Sequence, residues 1–286
     1  MRYLIFITII WAFSFSLIGE FLAGKVDSYF AVLIRVLLAS LVFLPFTDFK
    51  NIENSLKLKI MGIGIVQIGL MYIFFYKSFM FLSVPEVLLF TKLTPIYITL
   101  YYDFLKKKFK PLYLVSASLA VIGAFVIRYE GINSDFLVGF LLVQGANLCF
   151  AVGQISYKYI MQQEKMKNIK HLSIFGYFHF GALIVSTIAF FAFGNFDKIS
   201  PSLVEWGVLL WLGLVASGLG YFLWNRGACT VDAGVLAIMN NILVPMGLLV
   251  NIVIWNKDVN YLTLFIGGSI IMLSLYLHYF IMRRYK

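Results

Sequence analysis

The chain has few of the residues that cover the surface of a soluble protein. Charged residues make up 13% of its 286 residues, whereas an average soluble domain has roughly 25%. Hydrophobic residues make up 62%, and the mean hydropathy is +0.91. A soluble monomer does not tolerate the large exposed apolar patches that this composition would produce. The composition therefore excludes a soluble globular protein and indicates a protein surrounded by lipid.

Cysteine is also scarce, and several functional motifs are absent. Cys149 and Cys229 fall within or at the end of apolar segments, so no disulfide framework is expected. No group of His, Cys, Asp and Glu has metal-ligand spacing, and no Walker or Rossmann glycine motif lies in a loop. The loops are too short for a soluble catalytic or nucleotide-binding domain. We therefore expect no metal, no cofactor, no catalytic residues and no ATP-driven transport by this chain alone.

Ten apolar stretches, each long enough to cross a bilayer, occupy most of the chain. A bilayer core requires roughly 20 predominantly apolar residues in helical form. The stretches show no sustained alternation of apolar and polar residues, so a β-barrel is not expected. We predict an all-α membrane protein with ten transmembrane helices. They cover residues 3–22, 29–46, 60–80, 84–102, 112–127, 136–161, 173–193, 203–224, 234–255 and 261–282.

Lysine and arginine are distributed unequally over the connecting segments. With the N-terminus in the cytoplasm, 16 of these residues lie in cytoplasmic segments and 4 on the other side. This bias and the even number of helices predict that both termini are cytoplasmic. The net charge of +10 then needs no nucleic-acid partner, because the basic residues are scattered over short loops. The first stretch has no A-x-A-like cleavage site, so we expect a transmembrane helix and not a cleaved signal peptide.

The two halves of the sequence resemble each other. Gly69 and Tyr72 in the third stretch match Gly218 and Tyr221 in the eighth, and a proline in the fourth stretch matches one in the ninth. Any two membrane helices share such residues, but the combination favours a duplication. Because five is odd, the copies would have opposite orientations in the membrane, as in many secondary transporters. We predict two inverted five-helix repeats around a central cavity. The repeats comprise residues 1–132 and 133–286.

Polar residues within the stretches are the candidates for a substrate site, because they are costly in lipid unless they face a partner or a wet cavity. In the sixth stretch they recur at spacings of three and four, which places them on one helical face. We predict that this face lines the cavity, with hydrogen bonds between helices as the alternative. The face comprises Gln144, Asn147, Ala151, Gln154 and Lys158, and a similar one in the eighth stretch comprises Ser217, Tyr221, Trp224 and Asn225.

Five of the charged or titratable residues in or beside the stretches are candidates for substrate binding, gating or proton coupling. Arg35 lies too deep in the second stretch for comfortable contact with water. Its guanidinium could bind a carboxylate through two parallel hydrogen bonds, or it could pair with Glu20 or Glu86 on the same side. Lys92 could bind an anion or form a gating ion pair. Glu20, Glu86 and His179 are candidates for proton coupling, although a hydrogen-bonded core histidine is the alternative for His179.

Asn240 and Asn241 precede Pro245, which disturbs the backbone of the helix near them. A bent helix with two amides suits a ligand that has both hydrogen-bond donors and acceptors, and the alternative is that the amides link helices. Trp11 and Tyr221 could supply flat apolar walls. The predicted substrate-binding residues are Trp11, Arg35, Asn147, Gln154, Tyr221, Asn225, Asn240 and Asn241.

Over nearly its whole length the chain resembles the EamA type of the drug/metabolite transporter superfamily. The motif Trp11-Ala12-Phe13-Ser14, the arginine at position 35 and the Thr-Pro pair at 94–95 carry this resemblance. More narrowly, segments 26–46, 215–234 and 238–251 are similar to the carboxylate/amino acid/amine transporter family, in its biotin-transporting branch from enteric bacteria. The resemblance implies a cavity walled by helices 1–4 and 6–9, alternating access without ATP, and a location in the bacterial inner membrane.

The function that the resemblance implies is the uptake of biotin or another small carboxylate, with the lipid bilayer as a further expected partner and the oligomeric state left open. Arg35 would bind the carboxylate, the asparagines would bind the ureido group, and Trp11 and Tyr221 would pack on the ring. Export of amino acids or of aromatic or amine metabolites is the alternative, because EamA-type proteins do both. A non-transporting scaffold would not need Arg35 at such depth, and no nucleophile–base pair indicates a membrane enzyme.

Overall fold

The computed structural model describes residues 2–107, 134–231 and 233–255, and isolated positions at 119, 122 and between 262 and 283. Within these residues the regular elements are helices, and no strand is found. Six of the described helices are long and apolar enough to cross a membrane, so the prediction of an all-helical protein with several membrane-spanning segments is confirmed. The six are Arg2–Leu22, Ser28–Phe46, Asn54–Ser78, Asp135–Met161, His171–Phe193 and Leu203–Cys229.

Eleven α-helices follow one another along the described chain, and three π-helical segments extend or join them. The π segment Ile18–Leu22 extends α1, Ile65–Leu70 joins α3 to α4, and Leu212–Leu219 joins α9 to α10. The helices are α1 (Arg2–Leu17), α2 (Ser28–Phe43), α3 (Asn54–Gly64), α4 (Met71–Ser78), α5 (Val84–Phe90), α6 (Thr94–Leu105), α7 (Ser134–Met161), α8 (His171–Phe193), α9 (Leu203–Trp211), α10 (Gly220–Cys229) and α11 (Ala233–Trp255).

The remaining predicted spans have different outcomes. The fourth, 84–102, is divided into α5 and α6 by the 3₁₀ segment Thr91–Leu93. The ninth, 234–255, is α11, which continues through Pro245 without an interruption of the helix. The fifth and tenth, 112–127 and 261–282, lie outside the described residues apart from a few isolated positions. The count of ten helices therefore stays a prediction.

Capping boxes define where two of the helices begin. At the start of α5, Glu86 Oε2 accepts hydrogen bonds from the backbone N–H and the hydroxyl of Ser83, both at 2.8 Å. At the start of α9, Glu205 Oε2 accepts from the backbone N–H of Ser202 at 2.7 Å. These bonds satisfy backbone donors that have no partner within the helix. Glu86 is thus part of a helix start.

Glycines allow α3 and α8 to cross at short distance. A Cβ atom added to Gly64 would lie 1.7 Å from the carbonyl oxygen of Phe178, and one added to Gly181 would lie 2.1 Å from that of Met61. Small residues are typical of such crossings in membranes, because they let two backbones approach. The crossing joins the first half of the chain to the second.

Most of the large contacts between helices join the two halves of the chain. α1 packs on α10 and α11, and α7 packs on α4 and α6. α2 packs on α8 and on the π segment before α10, while α8 also packs on α3 and its π segment. A central space enclosed by α1, α2, α4, α6, α7, α10 and α11 remains between them, and this space contains the candidate site.

Candidate functional site

A cavity lies between α1, α2, α4, α6, α7, α10 and α11, the helices that supply most of its lining residues. Polar residues line it in two places. Arg35 and Tyr72 lie in one of them. In the other are Thr91 and two hydrogen-bonded residues that we call the amide group, Thr94 and Asn147, while Asn240 on α11 also lines the cavity.

Arg35 is the charged residue that lines the cavity within the described chain. Its side chain is buried, with 2% of the residue exposed. Nε donates to Ser217 Oγ at 3.0 Å, Nη1 donates to Tyr76 Oη at 2.9 Å, and Nη2 donates to Tyr72 Oη at 2.7 Å. We call these three residues the hydroxyl cage. The ring of Tyr72 also lies 4.3 Å from the guanidinium carbon, close enough for a cation–π contact.

The partners of Arg35 are hydroxyl groups and not a carboxylate. The sequence left open a pair with Glu20 or Glu86, but among the described residues the guanidinium has no acidic partner. Hydroxyl oxygens are neutral, so the positive charge is solvated but not neutralised. A buried charge in this condition favours the binding of an anion.

Irregular helix segments carry the hydroxyl cage. Ser217 lies within the π segment Leu212–Leu219, and Tyr72 and Tyr76 follow the π segment Ile65–Leu70. π segments are rare and are frequently found at functional sites. Tyr72 and Tyr76 are not among the site residues predicted from the sequence. The match of Tyr72 to Tyr221 between the two halves was the one signal for it.

The amide group forms where the fourth span changes its winding. Pro95 has no N–H, and the N–H of Thr94 donates to the carbonyl of Thr91, so the carbonyl of Phe90 does not accept the regular α-helical bond from Thr94. Asn147 Nδ2 donates to that carbonyl at 2.9 Å, and its Oδ1 accepts from the hydroxyl of Thr94 at 3.1 Å. Asn147 thus joins α7 to the start of α6 while facing the cavity.

Aromatic rings line the space between the hydroxyl cage and the amide group. The ring of Tyr221 lies 5.8 Å from that of Tyr72 and 5.0 Å from that of Trp11, and Trp11 lies 5.8 Å from Phe150 on α7. These centroid separations are typical of contacting aromatic pairs. Trp11 is fixed by its indole N–H, which donates to the carbonyl of Ala216 at 2.8 Å.

Five of the eight predicted substrate-binding residues line the cavity: Trp11, Arg35, Asn147, Tyr221 and Asn240.

Gln154 and Asn225 do not line the cavity, although both are fully buried. Gln154 Oε1 accepts from Trp224 Nε1 at 3.1 Å and from Asn240 Nδ2 at 3.4 Å, so it supports a lining residue. Asn225 Nδ2 donates to the carbonyl of Tyr221 at 3.0 Å. The side chain of Asn241 lies outside the described residues. Direct contact of these three residues with a substrate stays a prediction.

The polar face of the sixth span meets two different surroundings. Its N-terminal part faces the cavity and α6 through Asn147, as the periodicity predicts. Its C-terminal part packs on α10, where Lys158 Nζ donates to the carbonyl of Ala228 at 2.9 Å and also to that of Val231. One turn later, Gln162 Nε2 donates to the carbonyl of Cys229 at 3.2 Å. Here the alternative of hydrogen bonds between helices applies.

The four candidates for gating or proton coupling lie outside the cavity lining. Glu86 belongs to the capping box of α5, Glu20 lies part-buried in the π segment that extends α1, and Lys92 is buried in the 3₁₀ segment. His179 is fully buried, and its ring stacks on Phe43 at 5.3 Å. Its ring nitrogens have no hydrogen-bond partner in the described structure, so it is an aromatic core residue and not a hydrogen-bonded one. A coupling role for any of the four stays a prediction.

The described residues contain no group of three His, Cys, Asp or Glu that could hold a metal ion. The arrangement instead combines an unneutralised cation, hydrogen-bonding amides and aromatic walls. It can bind a small anionic molecule with a polar group at some distance from the charge.

Known proteins resemble the chain at two levels. The model of the EamA-like transporter family matches residues 2–129. The "Probable biotin transporter" of Pseudomonas aeruginosa is 50% identical over 278 residues, which cover 97% of each chain. The "Biotin transporter" of Escherichia coli K12 is 50% identical over 281 residues, 97% of this chain and 92% of its own. A solved crystal structure with a TM-score of 0.70 and 15% identity covers 96% of this chain and 95% of its own, and it shows similarity of fold alone.

Proposed function

Because this chain belongs to the EamA-like transporter family, we propose that it is a secondary transporter that carries biotin into the cell across the bacterial inner membrane. The observation that carries the substrate assignment is the buried guanidinium of Arg35, which faces the cavity and, among the described residues, has hydroxyl groups as its hydrogen-bond partners. The names of the similar proteins from Pseudomonas aeruginosa and Escherichia coli support the same substrate.

Arg35 binds the carboxylate of the substrate in this proposal. A charge within a membrane protein is costly unless it has a partner, and the substrate supplies the counter-ion that the described protein residues do not. The guanidinium has five N–H donors, and three of them are used by the hydroxyl cage. Two donors, one on each terminal nitrogen, remain for the two oxygens of a carboxylate.

The rest of the cavity suits the rest of biotin. The ureido group both donates and accepts hydrogen bonds, as do the side chains of Asn147, Asn240 and Thr94. The apolar bicycle and the valeryl chain would pack on Trp11 and Tyr221, whose rings line the cavity. In this proposal Gln154 and Asn225 act from behind Asn240 and Tyr221, through the hydrogen bonds that join them.

The cavity is less suited to amino acids and amines, the substrates of the alternative function. These molecules carry an ammonium group, which is recognised by carboxylates or by aromatic faces in a desolvated site. None of the described residues that line the cavity is Asp or Glu. The nearest charge is the cation of Arg35, which repels a second cation. Biotin has no ammonium group and avoids this cost.

We also propose that the chain consists of two inverted five-helix repeats, residues 1–132 and 133–286. The support is that contacts between helices occur in pairs that interchange when the halves are exchanged. The contact of α1 with α11 corresponds to that of α7 with α6, and the contact of α1 with α10 corresponds to that of α7 with α4. The π segments Ile65–Leu70 and Leu212–Leu219 also occupy matching places in their halves.

In this proposal both termini are cytoplasmic, and the substrate moves by alternating access between the repeats. The bias of Lys and Arg supports the orientation. The driving force for uptake is either a proton gradient, with Glu20, Glu86 or His179 as carriers, or trapping of biotin in the cytoplasm. Lys92 would then act in gating.

Uptake of radiolabelled biotin tests the proposed function. The chain is produced in biotin-auxotrophic cells that lack their own biotin transporter, and uptake is measured at nanomolar biotin with empty vector as the control. We expect saturable uptake that an excess of unlabelled biotin suppresses. Uptake equal to the vector control, with the protein detected in the membrane, would contradict the proposal. Efflux of amino acids from preloaded cells would then be measured, because export is the alternative.

A further inference from the structure

We infer that Tyr76 and Ser217 are positioning residues for Arg35, and that their hydroxyl groups make the site select a free carboxylate over the neutral amide or ester of the same ligand. This inference rests on the proposed function. It concerns two side chains that do not line the cavity: Ser217, which belongs to the polar face of the eighth predicted span, and Tyr76, which the sequence did not indicate.

Both residues act through the guanidinium and not on the ligand. Ser217 is 0% exposed and Tyr76 is 3% exposed, and neither is among the residues that line the cavity. Ser217 Oγ accepts a hydrogen bond from Arg35 Nε at 3.0 Å, and Tyr76 Oη accepts one from Nη1 at 2.9 Å. Tyr72, the third member of the hydroxyl cage, differs because it lines the cavity itself.

The hydrogen bonds of the hydroxyl cage fix the plane of the guanidinium. Ser217 Oγ also lies 2.8 Å from Tyr72 Oη, which closes a ring of three hydrogen bonds with Arg35. The acceptors come from two different helical regions, α4 and the π segment before α10, while Arg35 is on α2. A planar group held on several edges cannot rotate, so its two remaining donors keep one direction. Bidentate binding of a carboxylate needs such a fixed fork.

Neutral acceptors leave the charge of Arg35 available. A carboxylate in place of either hydroxyl would hold the guanidinium equally well but would neutralise it. The substrate anion would then lose its electrostatic partner, while a neutral ligand would lose little. Hydroxyl partners therefore fix the orientation of the Arg35 guanidinium without removing its charge. The orientation and the charge can then each be changed by one substitution.

Binding of biotin and of biotinamide to the purified full-length protein in nanodiscs tests this inference. We expect the unmodified protein to prefer biotin, and Tyr76→Phe and Ser217→Ala each to weaken biotin binding about 10-fold, as for lost hydrogen bonds to a charged group. Biotinamide binding should change little in both variants. Ser217→Thr, which keeps the hydroxyl, should restore biotin binding, and Ser217→Asp should abolish the preference for the free acid.

Matched controls separate positioning from general damage to the fold. Tyr157→Phe removes another buried tyrosine hydroxyl, which contacts His171 at 2.9 Å, and Ser186→Ala removes a buried serine hydroxyl on α8. Both should leave the ratio of the two affinities unchanged. In transport assays Tyr76→Phe and Ser217→Ala should raise KM for biotin while kcat changes little. The substitutions weaken substrate binding but leave the conformational change that moves the substrate unaffected.

The outcomes distinguish this inference from the proposed function. If the unmodified protein prefers biotin and both variants keep the same preference, the positioning role is wrong and the proposed function stands. If the variants weaken biotin and biotinamide equally, the hydroxyls are only structural and the inference is again overturned. If the unmodified protein binds neither ligand, the proposed function fails and the inference fails with it.

Discussion

In the proposed site, Arg35 needs the planar shape of its guanidinium as well as its charge. Three of its donors serve the hydroxyl cage, and the other two remain for a ligand. A lysine ammonium has three donors on one atom and no fork, so it cannot contact three separated hydroxyls and also hold a carboxylate at two points. The proposed role therefore requires arginine in particular, and not any positively charged residue.

The variant Arg35→Lys should raise KM for biotin uptake about 10-fold or more, because a charge-assisted bidentate contact becomes a single one. The measurement is the dependence of initial uptake on biotin concentration in cells with equal amounts of protein in the membrane. Arg226→Lys is the control, since Arg226 is exposed and does not line the cavity. An unchanged KM for Arg35→Lys would show that charge alone is sufficient.

Single residues could be predicted where a cost in lipid marks them. Arg35 and Asn147 stand out in apolar stretches, and both line the cavity. Tyr76 could not be predicted in the same way, because a hydroxyl costs little in a membrane helix, and the polar face of the eighth span indicated Ser217 without any sign of its partner. The partner of Ser217 is 182 positions away in the sequence, and only the fold joins them.

At the level of elements, periodicity gives the face of a helix but not what that face meets along its length. The polar face of the sixth span was predicted correctly as a face. Because α7 packs on different helices along its length, Asn147 meets the cavity and α6, while Lys158 meets the end of α10. The π segments have no known sequence signal in this chain, and only the matching glycines and tyrosines indicated that the third and eighth spans correspond.

Lys158 should stabilise the C-terminal end of α10. The ammonium donates to the carbonyl of Ala228, in the last turn of α10, where carbonyls have no partner further along the helix, and to the carbonyl of Val231, two residues beyond the helix. Lys158→Met should leave these buried carbonyls without that donor and cost about 1–3 kcal/mol of local stability.

The thiol of Cys229 reports on this end of α10. In protein that also carries Cys149→Ala, Lys158→Met should increase the rate at which Cys229 reacts with a maleimide in inside-out vesicles. Lys165→Met, at an exposed loop position, is the control and should have no effect. Equal rates in both variants would contradict a capping role.

The crossing of α3 and α8 should tolerate no side chain at Gly64. A Cβ atom there would lie 1.7 Å from a backbone carbonyl oxygen, whereas one at Gly62, two residues earlier, would meet nothing within 4 Å. Gly64→Ala should therefore separate the helices and destabilise the protein by about 1–3 kcal/mol, the usual cost of overpacking. Gly62→Ala should be neutral or slightly stabilising, because alanine is the better helix former.

Thermal unfolding of the two glycine variants in the same detergent checks this comparison. The midpoint should fall for Gly64→Ala and stay equal or rise for Gly62→Ala. A fall of equal size in both would indicate that backbone flexibility is needed in this helix, and not a close approach between helices.

For the whole molecule, the length and the apolar character of the helices follow from the surrounding lipid. Lipid requires long apolar helices with satisfied backbones, so their positions can be predicted from composition alone, and all six long helices occupy predicted spans. Their mutual arrangement cannot be predicted in this way, because helices in lipid gain nothing from apolar character as such and pack by shape. Glycines such as Gly64 and Gly181 decide which helices approach closely.

The predicted orientation can be tested with two exposed lysines in loops at opposite ends of α2. Lys50 should be cytoplasmic and Lys25 external if both termini are inside. In protein whose two native cysteines are replaced by alanine, Lys25→Cys should react with a membrane-impermeant maleimide in spheroplasts. Lys50→Cys should react only after permeabilisation. The reverse pattern would invert the proposed topology while leaving the fold unchanged.

The π segments also have a consequence for helical phase. In an α-helix one residue corresponds to about 100° of rotation and 1.5 Å of rise, and a π segment accommodates its hydrogen bonds over a wider turn. It therefore offsets all later side chains from the direction that regular winding would give them. Tyr72 and Tyr76 follow one such offset, and Ser217 lies within the other. In the proposed site, recognition of the anion therefore depends on how two helices are wound, and a change of one residue in the length of either segment would redirect the hydroxyl groups while every residue of the site stayed the same.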